Sequence, residues 1–320
     1  MGSAMMWADP IDRTQLEGLK GDEILQKLHT MIKDHEVLYY SQVRADQARV
    51  DIVGNEVVDM YSSCTFGARD YCGSRTDFED CDCHNREHVL PKAWWGGDKT
   101  VPMYTDLHHV IPTDFAANTQ RQDYPYGEVS SQTWTNGVSK YGSTNSYPSV
   151  KNARAFEPAD EYKGDVARIY FYMLTCYLDY QLNQNTNSKI VFGYNSTKKQ
   201  SKFTSAAQDL FLKWYRNDAV SSKETTRNDK VEAKQGNRNP FVDYPELVEY
   251  IWGNKKGQTI QLAQLVRTTS KDYVVPLSPA NPTATEATDI CQSGFTAHWV
   301  STGSESYELD VFTQATSGHN

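Results

Sequence analysis

Two short blocks constrain this chain more than anything else in it, because together they can form two strands and a helix. The first, Asn85–Gly97, sets the carboxylate Glu87 beside the imidazole His88, then stops the strand with Pro91 and the Gly96-Gly97 pair. The second, Asp106–Asn118, is a short apolar-rich run carrying His108 and His109 and ending at Pro112. Strands are predicted over Arg86–Val89 and Asp106–Ile111. Pro112 suits the first turn of a helix running to about Gln122. Asn118 and Arg121, three apart, share one face of that helix. A base, hard oxygen ligands and a cation suit metal-assisted hydrolysis of a phosphodiester. Taken alone, Glu87-His88 is better read as a surface ion pair, and it is the second block with Asn118 that favours a site. On a regular strand the two side chains point to opposite faces, so both reach one phosphate only where the strand ends or bulges.

The bulk composition sets wide bounds. The chain has 320 residues, more than one ordinary domain needs. Its apolar fraction of 38% and charged fraction of 23% are those of a soluble globular protein. No apolar run is long enough to span a bilayer. Met1-Gly2-Ser3-Ala4 reads as an expression scar with no signal-peptide core behind it, so any export signal is expected to have been removed. A net charge of −9 argues against a tight basic DNA binder, though not against an enzyme that grips transiently through a metal and a few arginines.

Cys64, Cys72, Cys81 and Cys83 crowd together ahead of the first block, while Cys176 and Cys291 stand apart. Such clustering reads as a disulfide knot in an exported protein. A Cys81–Cys83 bond would close a very tight ring, so Cys64 and Cys72 are each expected to pair with one of Cys81 and Cys83. The rival is zinc held by Cys81-Asp82-Cys83-His84 with Cys64 or Cys72, but one intervening residue is shorter than the usual ligand spacing.

Along the chain, residues 1–15 are expected to be a frayed tail. Ile24, Leu25, Leu28, Met31 and Ile32 form one apolar stripe of a helix from about Gly21 to Asp34. Residues 35–55 are mixed and polar, with a turn at Gly54-Asn55, and a strand is expected over Val57–Tyr61. Residues 123–155 read as a long irregular segment of functional type. A helix is predicted from Asp165, its apolar face running to Tyr180 and including Cys176 as a buried free thiol. Ser205 with Gln208 suggests a capping box for the next helix. Further helices are expected over Glu224–Ala233 and from Pro245 to Trp252. Beyond about residue 265 the composition shifts. Phe295–Trp299 and Tyr307–Val311 alternate as strands and look like the opening of a fibronectin type III-like module. A β-sandwich needs about seven strands, which the segment 276–320 cannot hold.

Several of these blocks, in this order, resemble the bacterial endonuclease I family. They are Arg86–Pro91, Asp106–His109, Asn118, Tyr124–Glu128, Glu157-Pro158, Lys163–Arg168, Tyr170–Met173 and Gln235–Phe241. The resemblance covers roughly residues 15 to 255. It implies a secreted or periplasmic nuclease with a ββα-metal (His-Me finger) core. In that reading His88 is the general base, and Glu87 and Asn118 are the protein ligands of one Mg²⁺, for which Mn²⁺ or Ca²⁺ could substitute. Products would carry 5′-phosphate and 3′-hydroxyl ends. Arg121, Arg168 and Arg238 are candidates for phosphate contacts. Relatives can supply a phosphate-binding arginine from the loop after the histidine. Here that loop reads Gly96-Gly97-Asp98-Lys99, so Lys99 or an arginine elsewhere would take the role. Asp106, His108 and His109 are expected to support the site, with one histidine of the pair packed and the other solvated as the plain alternative.

The expected class is therefore α+β: a tail over 1–15, a catalytic domain over 16–265 and a partial β-sandwich segment over 276–320. The expected partner is nucleic acid, DNA with RNA also admissible, acted on by a monomer with no membrane span and no base readout. The reading from another class is an extracellular adhesion protein with a dead nuclease site. A plasmid-nicking assay with and without EDTA separates the two.

Overall fold

The computed structural model describes residues 11–72, 79–274, 283–291 and 294–300. The chain divides into two compact units, one ending at Pro276 and the other beginning at Leu277. The class is α+β, helices with small antiparallel sheets.

The first unit packs from Ile11 onward. Ile11 and Leu16 are buried, and Arg13 donates to the Leu265 carbonyl at 2.5 Å. The tail expected over 1–15 is thus ordered from Ile11; residues 1–10 lie outside the described residues. Helix α1, Asp22–Ile32, buries the predicted stripe of Ile24, Leu25, Leu28 and Ile32. Helix α2, Tyr40–Val50, was not legible. Among its described side chains Val43 and Val50 are buried in a small core with Leu107, Val110 and Val231, with Tyr40 packed against that core, so the helix offers no continuous stripe to read. Strands β1, Ile52–Val53, and β2, Glu56–Val57, form a hairpin. Its turn uses Gly54 at φ +66°, which a side-chain-bearing residue rarely adopts. The strand expected through Tyr61 ends at Val57.

Two disulfides follow, Cys64–Cys81 and Cys72–Cys83. All four sulfurs are thereby used, which removes the zinc alternative. Cys176 is a buried free thiol, as expected.

Strand β3, His84–His88, pairs antiparallel with β4, Val110–Asp114, and helix α3, Phe115–Arg121, follows directly. The second strand therefore starts four residues later than predicted and ends three later. Pro112 sits inside β4 opposite Arg86, not in the helix. A two-stranded sheet leaves alternate N–H groups of each strand facing outward, and a proline can stand at such a position. The helix start is set instead by Asp114, whose Oδ1 accepts from the Ala117 N–H at 2.7 Å.

The segment expected to be irregular forms a three-stranded sheet of β5, Val129–Thr135, β6, Lys140–Thr144, and β7, Arg154–Glu157. Most of β5 is exposed, so its polar residues show no alternation. Helix α4, Lys163–Cys176, runs through the core, buried from Val166 to Cys176. Beyond it lie α5, Ser188–Val191, and the hairpin of β8, Phe192–Asn195, with β9, Gln200–Phe203. Helix α6, Ser205–Asn217, is capped by Thr204, not by the expected Ser205–Gln208 box. Helix α7, Ser222–Gln235, begins with a Ser221–Glu224 capping box, and α8, Pro240–Asp243, and α9, Leu247–Ile251, complete the unit. Phe171 stacks on Trp252 at 4.7 Å, and Tyr170 packs on Phe211 at 4.6 Å, so α4 holds α6 and α9 through aromatic contacts.

The second unit shows one antiparallel pair, β10, Thr283–Cys291, with β11, Gly294–Val300. The strand expected at Phe295–Trp299 lies within β11. The one expected at Tyr307–Val311 lies outside the described residues.

Candidate active site

The register of β3 against β4 is continuous from His84↔Asp114 to His88↔Val110. With no bulge, Glu87 and His88 face opposite sides of the strand. Asn85 and Glu87 lie on the side that packs against α3. Arg86 and His88 lie on the other.

On the α3 side, Glu87 is 4% exposed. Its Oε1 accepts from the Tyr61 hydroxyl at 2.8 Å and lies 3.1 Å from Arg121 Nη1. The Tyr61 hydroxyl also meets that of Tyr126 in a short hydrogen bond. Burial pushes the Glu87 carboxyl up, against the opposing pull of Arg121 and Tyr61. Asn118 is half-buried and donates from Nδ2 to Asn85 Oδ1 at 2.7 Å and to the Arg86 carbonyl at 3.3 Å. That use of Nδ2 leaves Oδ1 as the atom Asn118 can offer to a cation. Glu87, Asn118 and Asn85 place oxygen atoms on one side of β3, the donor type that hard divalent cations prefer, although Asn85 Oδ1 already accepts from Asn118.

On the other side, His88 Nε2 donates to the Tyr104 carbonyl at 3.0 Å, and its ring stacks on Tyr104 at 5.3 Å. This fixes the tautomer with the lone pair on Nδ1. Burial first, and the neighbouring His109 next, push His88 down to about 3. The imidazole is therefore neutral across the ordinary pH range.

Arg121 is fully buried. Besides Glu87, it donates to the carbonyls of His88 at 3.2 Å and Val89 at 2.7 Å, and lies 4.7 Å over the Tyr126 ring. The other two arginines read from the sequence as phosphate contacts are also buried in ion pairs. Arg168 bonds both oxygens of Glu224 at 2.6 and 2.7 Å. Arg238 forks onto Asp243 at 2.7 Å and reaches Glu232 at 2.7 Å. Arg168 Nη1 also donates to the Asp218 carbonyl at 2.6 Å, so both guanidinium groups are occupied within the fold and neither presents a free fork to a phosphate. This corrects the expectation. Lys99 is exposed and makes no polar contact with β3 or α3 among the described residues.

Asp106 is a buried hub. It accepts from the hydroxyls of Tyr172 and Tyr177 at 2.7 Å, from Gln235 at 2.7 Å and from the His108 N–H at 2.9 Å. Burial pushes its carboxyl up, but His35, His108 and His109 and the Gln235 amide outweigh that and hold it well below the usual range. His108 bonds the Asn237 carbonyl and His109 the Met103 carbonyl, and both are buried, so neither is solvated as the plain alternative had it. His109 packs edge-on to His88 at 5.5 Å, whereas His108 faces Tyr172.

Asp106, His35 and Cys176 bring ligand atoms within 4.8 Å of one another. The Asp106 oxygens already hold tyrosine and amide donors, and burial keeps the Cys176 thiol protonated. The trio therefore acts as a packed polar network. Tyr61, Tyr126 and Asn85 were missed by sequence reasoning. Of these Asn85 was recoverable, because it stands two residues before Glu87 and so shares its side of the strand.

The Endonuclease I family profile matches residues 21–246. Among curated proteins, an extracellular ribonuclease of Bacillus amyloliquefaciens is 32% identical over 250 residues, covering 74% of this chain and 76% of that protein. An extracellular ribonuclease of Bacillus subtilis (strain 168) is 31% identical over 248 residues, with the same coverage of 74% and 76%. An Endonuclease-1 of Buchnera aphidicola subsp. Baizongia pistaciae is 28% identical, covering 66% of this chain and 85% of that protein.

Proposed function

The chain belongs to the endonuclease I family, and on that premise we propose that it is an extracellular, Mg²⁺-dependent nuclease that cuts RNA and DNA without base readout. The observation that carries the reading is the β3–β4–α3 unit. It offers oxygen donors from Glu87 and Asn118 on one side of β3 and a neutral imidazole at the strand end.

His88 is the general base in this reading. Its Nε2–H is committed to the Tyr104 carbonyl, so Nδ1 takes the proton of the attacking water. Glu87 and Asn118 would hold the Mg²⁺, which supplies charge stabilisation for the phosphorane-like transition state and the leaving 3′-oxygen. Arg121 acts through Glu87: it pulls against the burial that raises the Glu87 carboxyl, and it anchors the carbonyls of His88 and Val89. Cleavage in this manner gives 5′-phosphate and 3′-hydroxyl ends.

Two relatives named extracellular ribonucleases support RNA as a substrate and export as the setting. The paired disulfides fit an oxidising compartment. The test is cleavage of supercoiled plasmid and of single-stranded RNA with Mg²⁺, Mn²⁺ or Ca²⁺, each with and without EDTA. Metal-dependent cutting of both is expected. Intact substrates under every condition would favour the adhesion reading.

A further inference from the structure

The arginines chosen from the sequence are all committed to carboxylates, but another is not. Arg86 stands two residues before His88 on the same side of β3, about 7 Å along the strand. Its guanidinium lies 3.9 Å over the Tyr40 ring and 5.7 Å from that of Tyr71, and Nη1 donates to the Tyr40 carbonyl at 3.1 Å. Arg44, on α2, lies 4.3 Å over the other ring, Tyr71. Tyr40 in turn stacks on Tyr104 at 4.5 Å, and Tyr104 on His88. A continuous ladder of guanidinium and aromatic planes thus runs from Arg44 to His88.

Neither Arg44 nor Arg86 is paired with a carboxylate among the described residues. Arg44 is exposed and Arg86 is half-buried. In a chain of net charge −9 that ties its other arginines near the site into ion pairs, leaving these two unpaired is notable. Stacking fixes the plane of each guanidinium without consuming its edge N–H donors, and of the five on Arg86 only Nη1 is engaged by the backbone. A planar fork held in place and still open at its edge is what binds a phosphate with least loss of freedom.

We propose that Arg86 and Arg44, on the His88 side of β3, grip phosphates that flank the scissile one, which itself lies at the strand end, where both the His88 and the Glu87 sides can be reached. The ladder holds the two cations in line with His88, so a bound strand runs along β3 towards α2. The rings are spent on holding the cations, so what the ladder offers a bound strand is guanidinium edges for its phosphates, a backbone grip that reads no base. This rests on the nuclease reading above and names how its substrate is held.

The experiment measures binding, not turnover. A fluorescein-labelled single-stranded RNA oligonucleotide is titrated into the full chain carrying His88→Ala, with Mg²⁺ present, across a range of salt. Cleavage of the probe by that protein would count against His88 as the base and leave the phosphate grip untouched. Adding Arg86→Gln should weaken binding about tenfold or more. It should also reduce the slope of log K against log salt by about 0.7, one phosphate contact on a single strand. Arg44→Gln should reduce the slope by a similar amount. Lys202→Gln, an exposed cation on β9, serves as the control and should leave the slope unchanged. Thermal melting checks that each variant is folded, and Arg44→Gln decides alone if Arg86→Gln is not. An unchanged slope in the folded arginine variants overturns the proposal. So does an equal loss in Lys202→Gln, which would mean diffuse attraction by surface charge.

Discussion

Arg121 Nη1 lies 3.1 Å from Glu87 Oε1, and both side chains are buried. The cation read from the sequence as a grip on substrate is instead the counter-ion of the carboxylate. Removing one member of a buried pair leaves the other charged and unpaired, at a cost of about 3–5 kcal/mol. Arg121→Ala should therefore lower the free energy of unfolding by about that amount in urea denaturation. A folded Arg121→Ala with wild-type stability and selectively weakened substrate affinity would return Arg121 to the phosphate.

How much of this was readable depends on what each signal measures. The α1 stripe, the buried face of α4, the set of bridged cysteines though not which pairs with which, and the β3–α3 unit were legible because they rest on periodicity, spacing or a dense motif. Pro112 misled, since the sequence shows a helix-starting residue but not that β4 has a free outer edge. The β5–β7 sheet was missed because exposed polar strands carry no alternation. Arg168 and Arg238 were misread for a related reason. A guanidinium that binds phosphate and one that binds a carboxylate are the same letter, and only the tertiary position of Glu224 or Asp243 tells them apart. Arg86 was overlooked because its partners are distant in sequence, Tyr40 ahead of the cysteine cluster and Tyr71 inside it, between Cys64 and Cys72.

The two disulfides close loops with sequence separations of 17 and 11. Chain entropy alone assigns each about 3 kcal/mol, a figure that a large core blunts. Cys72–Cys83 should matter more for activity, because the Cys72 N–H also donates to the His84 carbonyl at the start of β3. Reduction should lower the melting temperature and slow cleavage, and Cys72→Ala/Cys83→Ala should slow it more than Cys64→Ala/Cys81→Ala. Equal activity in both double variants would remove the link to β3.

Acid should destabilise the fold through its buried imidazoles, although Asp59 and Asp218, which burial raises to about 6, protonate in the same range and offset part of the loss. Burial holds His108 to about 3 and His109 to about 4, whereas the unfolded chain titrates near 6.5. The unfolded state therefore takes up protons first as pH falls. The stability these two contribute is complete above about pH 6.5 and is lost as pH falls towards 4 and 3. Between pH 7 and 5 the loss is about 2 kcal/mol for each. Calorimetry at the two values should show a clearly lower melting temperature at pH 5. A flat profile would mean that these imidazoles are already charged in the fold.

Every residue proposed for the site precedes Pro276, and the compact unit that contains them ends there. A chain stopped after Pro276 should cleave plasmid at the full-length rate. A folded but inactive truncation would show that the second unit completes the site.

His88 and Glu87 are adjacent yet face opposite sides of β3, so their losses should be separable. If His88 supplies the base, His88→Ala removes proton transfer and slows cleavage by about 10²–10⁴-fold, while Mg²⁺ affinity stays close to wild type. Added imidazole should restore part of the rate. A substrate with a good leaving group should not, because activation of water is still missing. Glu87→Gln keeps the hydrogen bond to Tyr61 but loses the charge, and should weaken Mg²⁺ binding and activity together. Isothermal titration of Mg²⁺ into the two variants decides the assignment. Should His88→Ala lose the ion as severely as Glu87→Gln, His88 is a ligand, and the base must be sought at His109, whose ring packs 5.5 Å from it.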